Sequence, residues 1–435
     1  VSLPLGPDFN SWLLRLKQAT RSLRHRNYRL FFTGQSISLV GTWMQQIAMS
    51  WLVYRLTSSE WMLGLVSFVG NIPIIIIAPF AGALADRWNR HRMIVIIQIL
   101  ALLQALVLAF LVITEAIVVW QILVLSIALG IINAFDMPVR QAYVVEMIDD
   151  RADLSNAIAL NSSMFNMARL VGPAAAGLLI AAVGEGYCFL INALSYVAVI
   201  AALLAMKFAP ATMATDHPPI MKGLADGFRY SFGFMPIRSI LLLLILVSII
   251  GMPYTVLMPA IAKDVLHGDS RTLGLLVSCS GVGALIGAIV LAIRKSVKGL
   301  EVSIPIMACV FGIGLIGLSL SRSMPVSMFC MGLAGFGMIS QMASSNTVLQ
   351  SIVDEDKRGR MMGLYTMSIR GVAPIGSMLG GAAATIIGTP HTILISGLIC
   401  ILGGLLFWRK VGDWRRDAAA RSASGSRDFV SISEK

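Results

Sequence analysis

Charge is scarce in this chain of 435 residues: Asp, Glu, Lys and Arg make up 13% of it, against 57% hydrophobic residues and a mean hydropathy of +0.81. A soluble protein this apolar could not cover its surface with polar groups, so its solvent is lipid. Cysteine is as sparse: Cys188, Cys279, Cys309, Cys330 and Cys400 all fall inside apolar runs, without metal-ligand spacing or a pairing pattern, and read as small core residues. No Walker-type phosphate loop is present, which leaves an ATP-driven pump unsupported. No cluster of His, Cys and acid offers a metal or nucleophile site, so the chain is expected to be no enzyme and to need no cofactor or metal. A cleavable signal is missing too, because the first apolar run lacks a small-residue cleavage site and reads as a retained helix. Finally, acids are outnumbered, 22 to 34, giving a net charge of +12. In so apolar a chain that excess reads as basic loops that orient membrane helices, not as a nucleic-acid footprint.

What is present is a succession of long apolar runs. A spanning helix needs about 20 mostly apolar residues, and runs of that kind lie near 30–54, 61–84, 93–113, 116–138, 156–183, 186–206, 238–262, 272–293, 302–320, 326–349, 362–387 and 391–411. The expected organisation is a basic amphipathic segment at 1–29, a six-helix bundle over 30–206 and a linker at 207–237. A second six-helix bundle follows at 238–411, then a disordered tail at 412–435. With both termini placed in the cytoplasm, 28 of the 34 Lys and Arg fall on cytoplasmic segments and four on outer loops, the sign of both termini inside. The two remaining ones, Arg169 and Arg370, fall within spans. The halves echo each other: Leu63-Gly64-Leu65 recurs as Leu273-Gly274-Leu275, and Arg169-Leu-Val-Gly-Pro173 as Arg370-Gly-Val-Ala-Pro374. Repeats at matching places are what alternating access requires, two similar bundles rocking about one central site.

Between the second and third runs lies Gly82-Ala-Leu-Ala-Asp86-Arg87-Trp-Asn89-Arg90-His91-Arg92, one acid and three arginines in a turn too short to leave the membrane surface. It resembles the cytoplasmic loop between helices 2 and 3 of the major facilitator superfamily, with Asn89 where that family prefers Gly and His91 in one basic slot. The resemblance covers nearly the whole chain, Arg29 to Arg409. The first span, from Gly34-Gln35 through Gly41-Thr42-Trp43 to Tyr54-Arg55-Leu56-Thr57, is similar to the branch that contains enterobactin exporters and macrolide efflux proteins. So are Gly223 to Arg229 and Arg358 to Gly363. The resemblance implies an all-α integral membrane protein of twelve helices in two pseudo-symmetric six-helix bundles.

It also implies site residues. Gly82, Asp86, Arg87, Arg90, Arg92 and Asp136 would form a cytoplasmic latch in which Arg90 bridges Asp86 and Asp136; a static topology lock is the plainer reading. Gly172-Pro173-Ala-Ala-Ala-Gly177 resembles the packing motif of efflux-type members, Gly-Pro, two residues, Gly-Gly, with Ala176 for the first glycine of the final pair. Ordinary small-residue packing would look the same.

Arg169 and Arg370 stand near mid-span, where an arginine costs at least about 2.5–3.5 kcal/mol on insertion scales, and no Asp, Glu or His lies near the centre of any span. The interior is therefore positive and suits an acidic substrate, unless both guanidiniums merely bond to carbonyls freed by Pro173 and Pro374. Trp43, Gln46, Trp51, Asn133, Tyr254, Gln341 and Asn346 complete the candidate substrate contacts.

The resemblance implies secondary-active efflux by alternating access, driven by the proton motive force, of a small amphipathic or anionic molecule, siderophore-like or drug-like. Two departures bear on coupling: Ser126 and Gly130 occupy the region where many proton antiporters carry an arginine, and the first span has no acid. Flipping of a lysophospholipid or other amphipathic lipid, and uptake on the same fold, are the alternatives. The expected partners are the substrate, protons and the bilayer, for a monomer in the inner membrane.

Overall fold

The computed structural model describes residues 20–85, 88–148, 150–206, 234–294, 296–353 and 357–423, and these contain helices and no strand. Twelve helical rods are described. The first half holds α1 (Arg26–Thr57), α2 (Glu60–Ala85), α3 (Arg90–Ile113), α4 (Val119–Glu146), α5 (Leu154–Val183) and α6 (Glu185–Leu204). The second holds α7 (Met235–Val265), α8 (Ser270–Ile293), α9 (Leu300–Leu320), α10 (Met324–Ile352), α11 (358–387) and α12 (Thr389–Ala423).

Local chemistry sets the ends of these rods. Asn89 caps α3 by accepting from Arg92 N–H at 3.0 Å, and Asp269 caps α8 by accepting from Arg271 N–H and Thr272 N–H at 2.9 and 3.2 Å. The turns α5–α6 and α11–α12 each hinge on one glycine, Gly184 at φ 89° and Gly388 at φ 85°, a backbone region that a side chain would strain. These equivalent turns are a structural counterpart of the internal repeat.

Four rods depart from the expected spans. α4 does not stop at Pro138 but runs to Glu146. Proline lacks an N–H and crowds the carbonyl four residues back, yet the side-chain pair Asp136–Arg140 straddles it and holds the next turn in register. α12 continues from 411 to Ala423, through the expected tail, over a stretch with the helix formers Ala418, Ala419 and Ala420. Two rods are not regular: α7 opens into wide π turns at Val247–Gly251 and Ile261–Val265 around Pro253 and Pro259, and α11 does so at Met367–Gly371 just before Pro374. Such turns absorb the backbone groups that proline leaves without partners.

Within the first half α1 packs on α5 and α6, α3 on α6, and α2 on α4; within the second, α9 packs on α10 and α12, and α8 on α10. The first half also buries a polar relay. Asn192 Nδ2 donates to Gln45 Oε1 (2.6 Å), Gln45 Nε2 to Gln104 Oε1 (3.2 Å), and Gln104 Nε2 to the Leu125 carbonyl (3.3 Å). Gly41 admits Asn192, since a Cβ there would lie 2.6 Å from its Oδ1. Around the outside, Phe110, Trp120, Leu204, Phe329 and Ile386 are largely exposed, the lipid-facing girdle of a spanning bundle.

The expected basic segment begins, within the described residues, as a short turn Arg21–Arg24 folded against the start of α5. Arg21, Arg24 and His25 all reach the buried Asp153 (3.0, 2.8 and 3.0 Å), and Tyr28 donates to the Ala157 carbonyl at 2.8 Å. This stretch is a docked part of the bundle; residues 1–19 lie outside the described residues, as do 207–233 of the linker.

Candidate functional site: the pathway between the halves

The two halves touch mainly through α5 against α8 and α2 against α11, and these contacts gather at the end of the molecule opposite the chain termini. Small residues make the approach close. A Cβ on Gly177 would lie 2.6 Å from the Ser270 carbonyl oxygen, one on Gly274 2.5 Å from that of Pro173, and one on Gly64 2.6 Å from that of Ser377. Hydrogen bonds follow: Ser270 Oγ donates to the Gly177 carbonyl (3.1 Å), Ser278 Oγ to the Leu170 carbonyl (3.0 Å), and Trp61 N–H to Thr385 Oγ1 (3.1 Å). At the same end the buried Tyr54 hydroxyl of α1 donates to Asp264 of α7, while Lys263 Nζ sits 5.6 Å from the Tyr54 ring centre. Gly172 serves α1 instead, since its Cβ would lie 2.5 Å from Trp43 Cβ. The Gly172–Pro173–Gly177 run is thus packed on both flanks, on α1 through Gly172 and on α8 through Pro173 and Gly177.

Towards the terminal end the halves diverge. Phe165, 41% exposed, stacks edge-on against Trp43 at 5.7 Å, and Gln46 and Asn133 are exposed. Arg370, in the π turn of α11, is exposed and reaches across only to Met137 Sδ of α4, at 3.4 Å. Arg169 sits where α5 crosses α8, its carbonyl 3.3 Å from a Cβ on Gly281, with Tyr254 within electrostatic range of its guanidinium. The Tyr254 hydroxyl lies 3.2 Å from Ser280 Oγ of α8. The result is a passage closed at one end and open at the other, with Trp43, Arg169, Tyr254 and Arg370 along its walls.

Other candidates fall elsewhere. Gln341 is 1% exposed and lies four residues beyond Gly337, whose Cβ would touch Phe311 of α9; it faces the inside of its own half, so it is corrected from pathway residue to core residue. Neither of its amide atoms has a partner in the described structure. Trp51 is half-buried against the core, and Asn346 Oδ1 accepts from Gln350 Nε2 at 3.1 Å. A groove of about 550 Å³ lies between α1 and α6, lined by residues that include Val40, Met44, Ile191 and Leu194.

The expected Arg90 bridge to Asp136 is also corrected. Both oxygens of Asp136 are held by Arg140 (2.9 and 2.7 Å), and Gln98 Nε2 donates to Oδ1 at 3.0 Å. Arg90 pairs with Glu146, which the continuation of α4 brings beside it, and His91 meets the buried Tyr143 hydroxyl. Arg92 is exposed and Gly82 lies in the last turns of α2; Asp86 and Arg87 are outside the described residues.

Two helical halves of matching design, meeting around a passage shut at one end, define a multi-pass membrane transporter. The chain belongs to the major facilitator superfamily: the family model described as transmembrane secretion effector matches residues 18–427. It is 27% identical to the staphyloferrin A transporter of Staphylococcus aureus (strain NCTC 8325 / PS 47), over 87% of this chain and 95% of that one. It is 25% identical to macrolide efflux protein A of Streptococcus pyogenes (87% and 96% covered) and 26% to the enterobactin exporter EntS of Citrobacter koseri (93% and 96%). A bacterial homologue of the iron transporter ferroportin, solved in an inward-facing state, shares the fold with a TM-score of 0.67 at 15% identity, over 88% of this chain and 98% of that one. The expected superfamily, its efflux branch and the two-bundle fold all hold.

Proposed function

We propose that this chain is a secondary-active exporter of the inner membrane that moves a small amphipathic or anionic molecule by alternating access, in exchange for protons. The observation that carries this reading is the asymmetric passage: halves sealed to each other at the end opposite the termini and parted at the terminal end. The charge distribution supports a cytoplasmic terminal end, which makes the state described here open to the cytoplasm and ready to load cargo for export. The named relatives, carriers of siderophores and a macrolide, support export as the direction.

In the opposite state the terminal ends of the halves close. The loop around Asp86 then meets the start of α11 and latches it, while Arg90, clamped by Glu146, fixes the loop to α4. The protein works as a monomer, since one chain contains the whole passage. The test is transport in everted vesicles: radiolabelled siderophore or macrolide should accumulate when a proton gradient is imposed, and nigericin should abolish it. Accumulation only in right-side-out vesicles would overturn the direction, and indifference to nigericin would overturn the coupling.

A further inference from the structure

Several arginines near the ends of the helices find partners that explain them. Arg21 and Arg24 bind Asp153, Arg55 binds Glu185, Arg90 binds Glu146, and Arg294 and Arg322 bind backbone carbonyls. The two arginines within the spans are not accounted for in this way. Arg169 makes no hydrogen bond or ion pair among the described residues, and Arg370 makes one, to the thioether of Met137, a weak acceptor. Neither donates to a carbonyl freed by Pro173 or Pro374, so the helix breaks do not account for them. They occupy equivalent places in the two halves, four residues before a proline in α5 and in α11, and therefore lie on opposing walls. The nearest acid on the α4 wall, Asp136, is already neutralised by Arg140. Among the described residues the passage thus carries two positive charges without an acid partner, Arg169 at the α5–α8 crossing and Arg370 opposite the α4 wall, with Trp43 and Phe165 as an aromatic edge between α1 and α5.

We propose that Arg169 and Arg370 form a two-walled anion site that selects solutes bearing at least two carboxylates. Resting on the exporter reading, this names the cargo class for that same passage. Arg169, near Tyr254, takes the leading carboxylate, and the apolar body of the solute lies on the Trp43–Phe165 edge. Arg370, on the π turn of α11, takes a second carboxylate from the other half. A solute held by both halves at once binds best where they come together, so acidic cargo favours closure of the open end. A permanent cation meets two like charges and no acid to offset them.

The experiment is calorimetric titration of the purified full chain in lipid nanodiscs with benzene-1,3,5-tricarboxylate and, separately, with tetraphenylphosphonium. Wild-type protein should bind the tricarboxylate, and raising the salt concentration should weaken it. Each of Arg169→Gln and Arg370→Gln should weaken it about tenfold or more, the loss expected for a charge-assisted contact, and Arg169→Lys should fall between. Should Arg169→Gln fold poorly, Arg370→Gln, at an exposed position, still decides. Unchanged affinity in the glutamine variants, tighter binding of the cation than the tricarboxylate, or no tricarboxylate binding at millimolar concentration would each overturn the site. Binding here needs no transport: tight tricarboxylate binding without proton-dependent flux would defeat the exporter reading alone, and flux of other solutes without tricarboxylate binding would defeat the site alone.

Discussion

Tyr54→Phe should loosen the closed end of the passage while leaving each half intact. The Tyr54 hydroxyl is the donor in a hydrogen bond that crosses from α1 to Asp264 on α7, so it exists only while that end is shut. A hydrogen bond to an ionised group contributes about 1.5–3 kcal/mol when sheltered. Asp264 is exposed on its other side, which screens the bond and brings the expected loss to about 1–2 kcal/mol. That corresponds to a roughly five- to thirtyfold shift from the shut towards the parted arrangement. Lys263 remains over the ring in the variant, because phenylalanine keeps the π face. Spin labels at Thr57→Cys and His267→Cys, one on each half beside the contact, would report the change by double electron–electron resonance. Tyr54→Phe should add a longer-distance population, and Asp264→Asn, which keeps a weaker acceptor, should give an intermediate distribution. Identical distributions in all three proteins would refute the idea that this bond holds the halves together.

Gly177→Ala should act in the same direction by sterics: its Cβ would lie 2.6 Å from the Ser270 carbonyl oxygen, a backbone atom that cannot swing away, so overpacking of about 1–3 kcal/mol is expected at the α5–α8 crossing; unchanged spin-label distances would contradict it. Asp136→Asn strands the mostly buried Arg140 and should cost about 3–5 kcal/mol, read as a lowered melting temperature that Asp136→Asn with Arg140→Gln largely restores; a double variant no better than the single would dismiss the pair. The Arg21–Arg24 turn should stay docked at neutral pH and release in acid. Burial disfavours the Asp153 carboxylate, but the His25 hydrogen bond and the charges of Arg24 and Arg21 outweigh that and hold it below the usual carboxylate range. A depressed folded-state value stabilises docking above the ordinary carboxylate range near pH 4, and the stabilisation is lost as pH falls through the lowered value. Fluorescence of a label at Leu23→Cys should therefore change only below about pH 4, and a transition well above that range would contradict the role of Asp153.

The twelve rods and their grouping into halves were legible because lipid imposes a length and an apolarity on each span, and the repeated Arg-to-Pro spacing marked equivalent places. The α5 motif could be read because close helix packing in lipid selects small residues at a fixed spacing. Pro138 misled the reading of α4, since the sequence does not show that Asp136 and Arg140 clamp the turn around it. The latch follows from the same point: with the span ended at Pro138, Glu146 falls between spans and Asp136 becomes the acid offered to Arg90. The Asp136–Arg140 spacing of four was itself visible and is the signal that could have corrected both. The Tyr54–Asp264 contact and the Gln45–Gln104–Asn192 relay join residues far apart in the chain, and no local pattern distinguishes them from polar residues facing the passage. For the same reason Gln341 looked like a ligand although it is turned into its own half.

The measurement that tests the account most directly is the sidedness of Phe165→Cys, a passage position beside Trp43, in protein whose five native cysteines are replaced. A membrane-impermeant maleimide should label it in everted vesicles and leave it unlabelled in right-side-out vesicles, as a passage open only at the cytoplasmic, terminal end requires. Labelling from the outer face alone, or equally from both faces, would contradict a passage shut by α5 against α8 and α2 against α11.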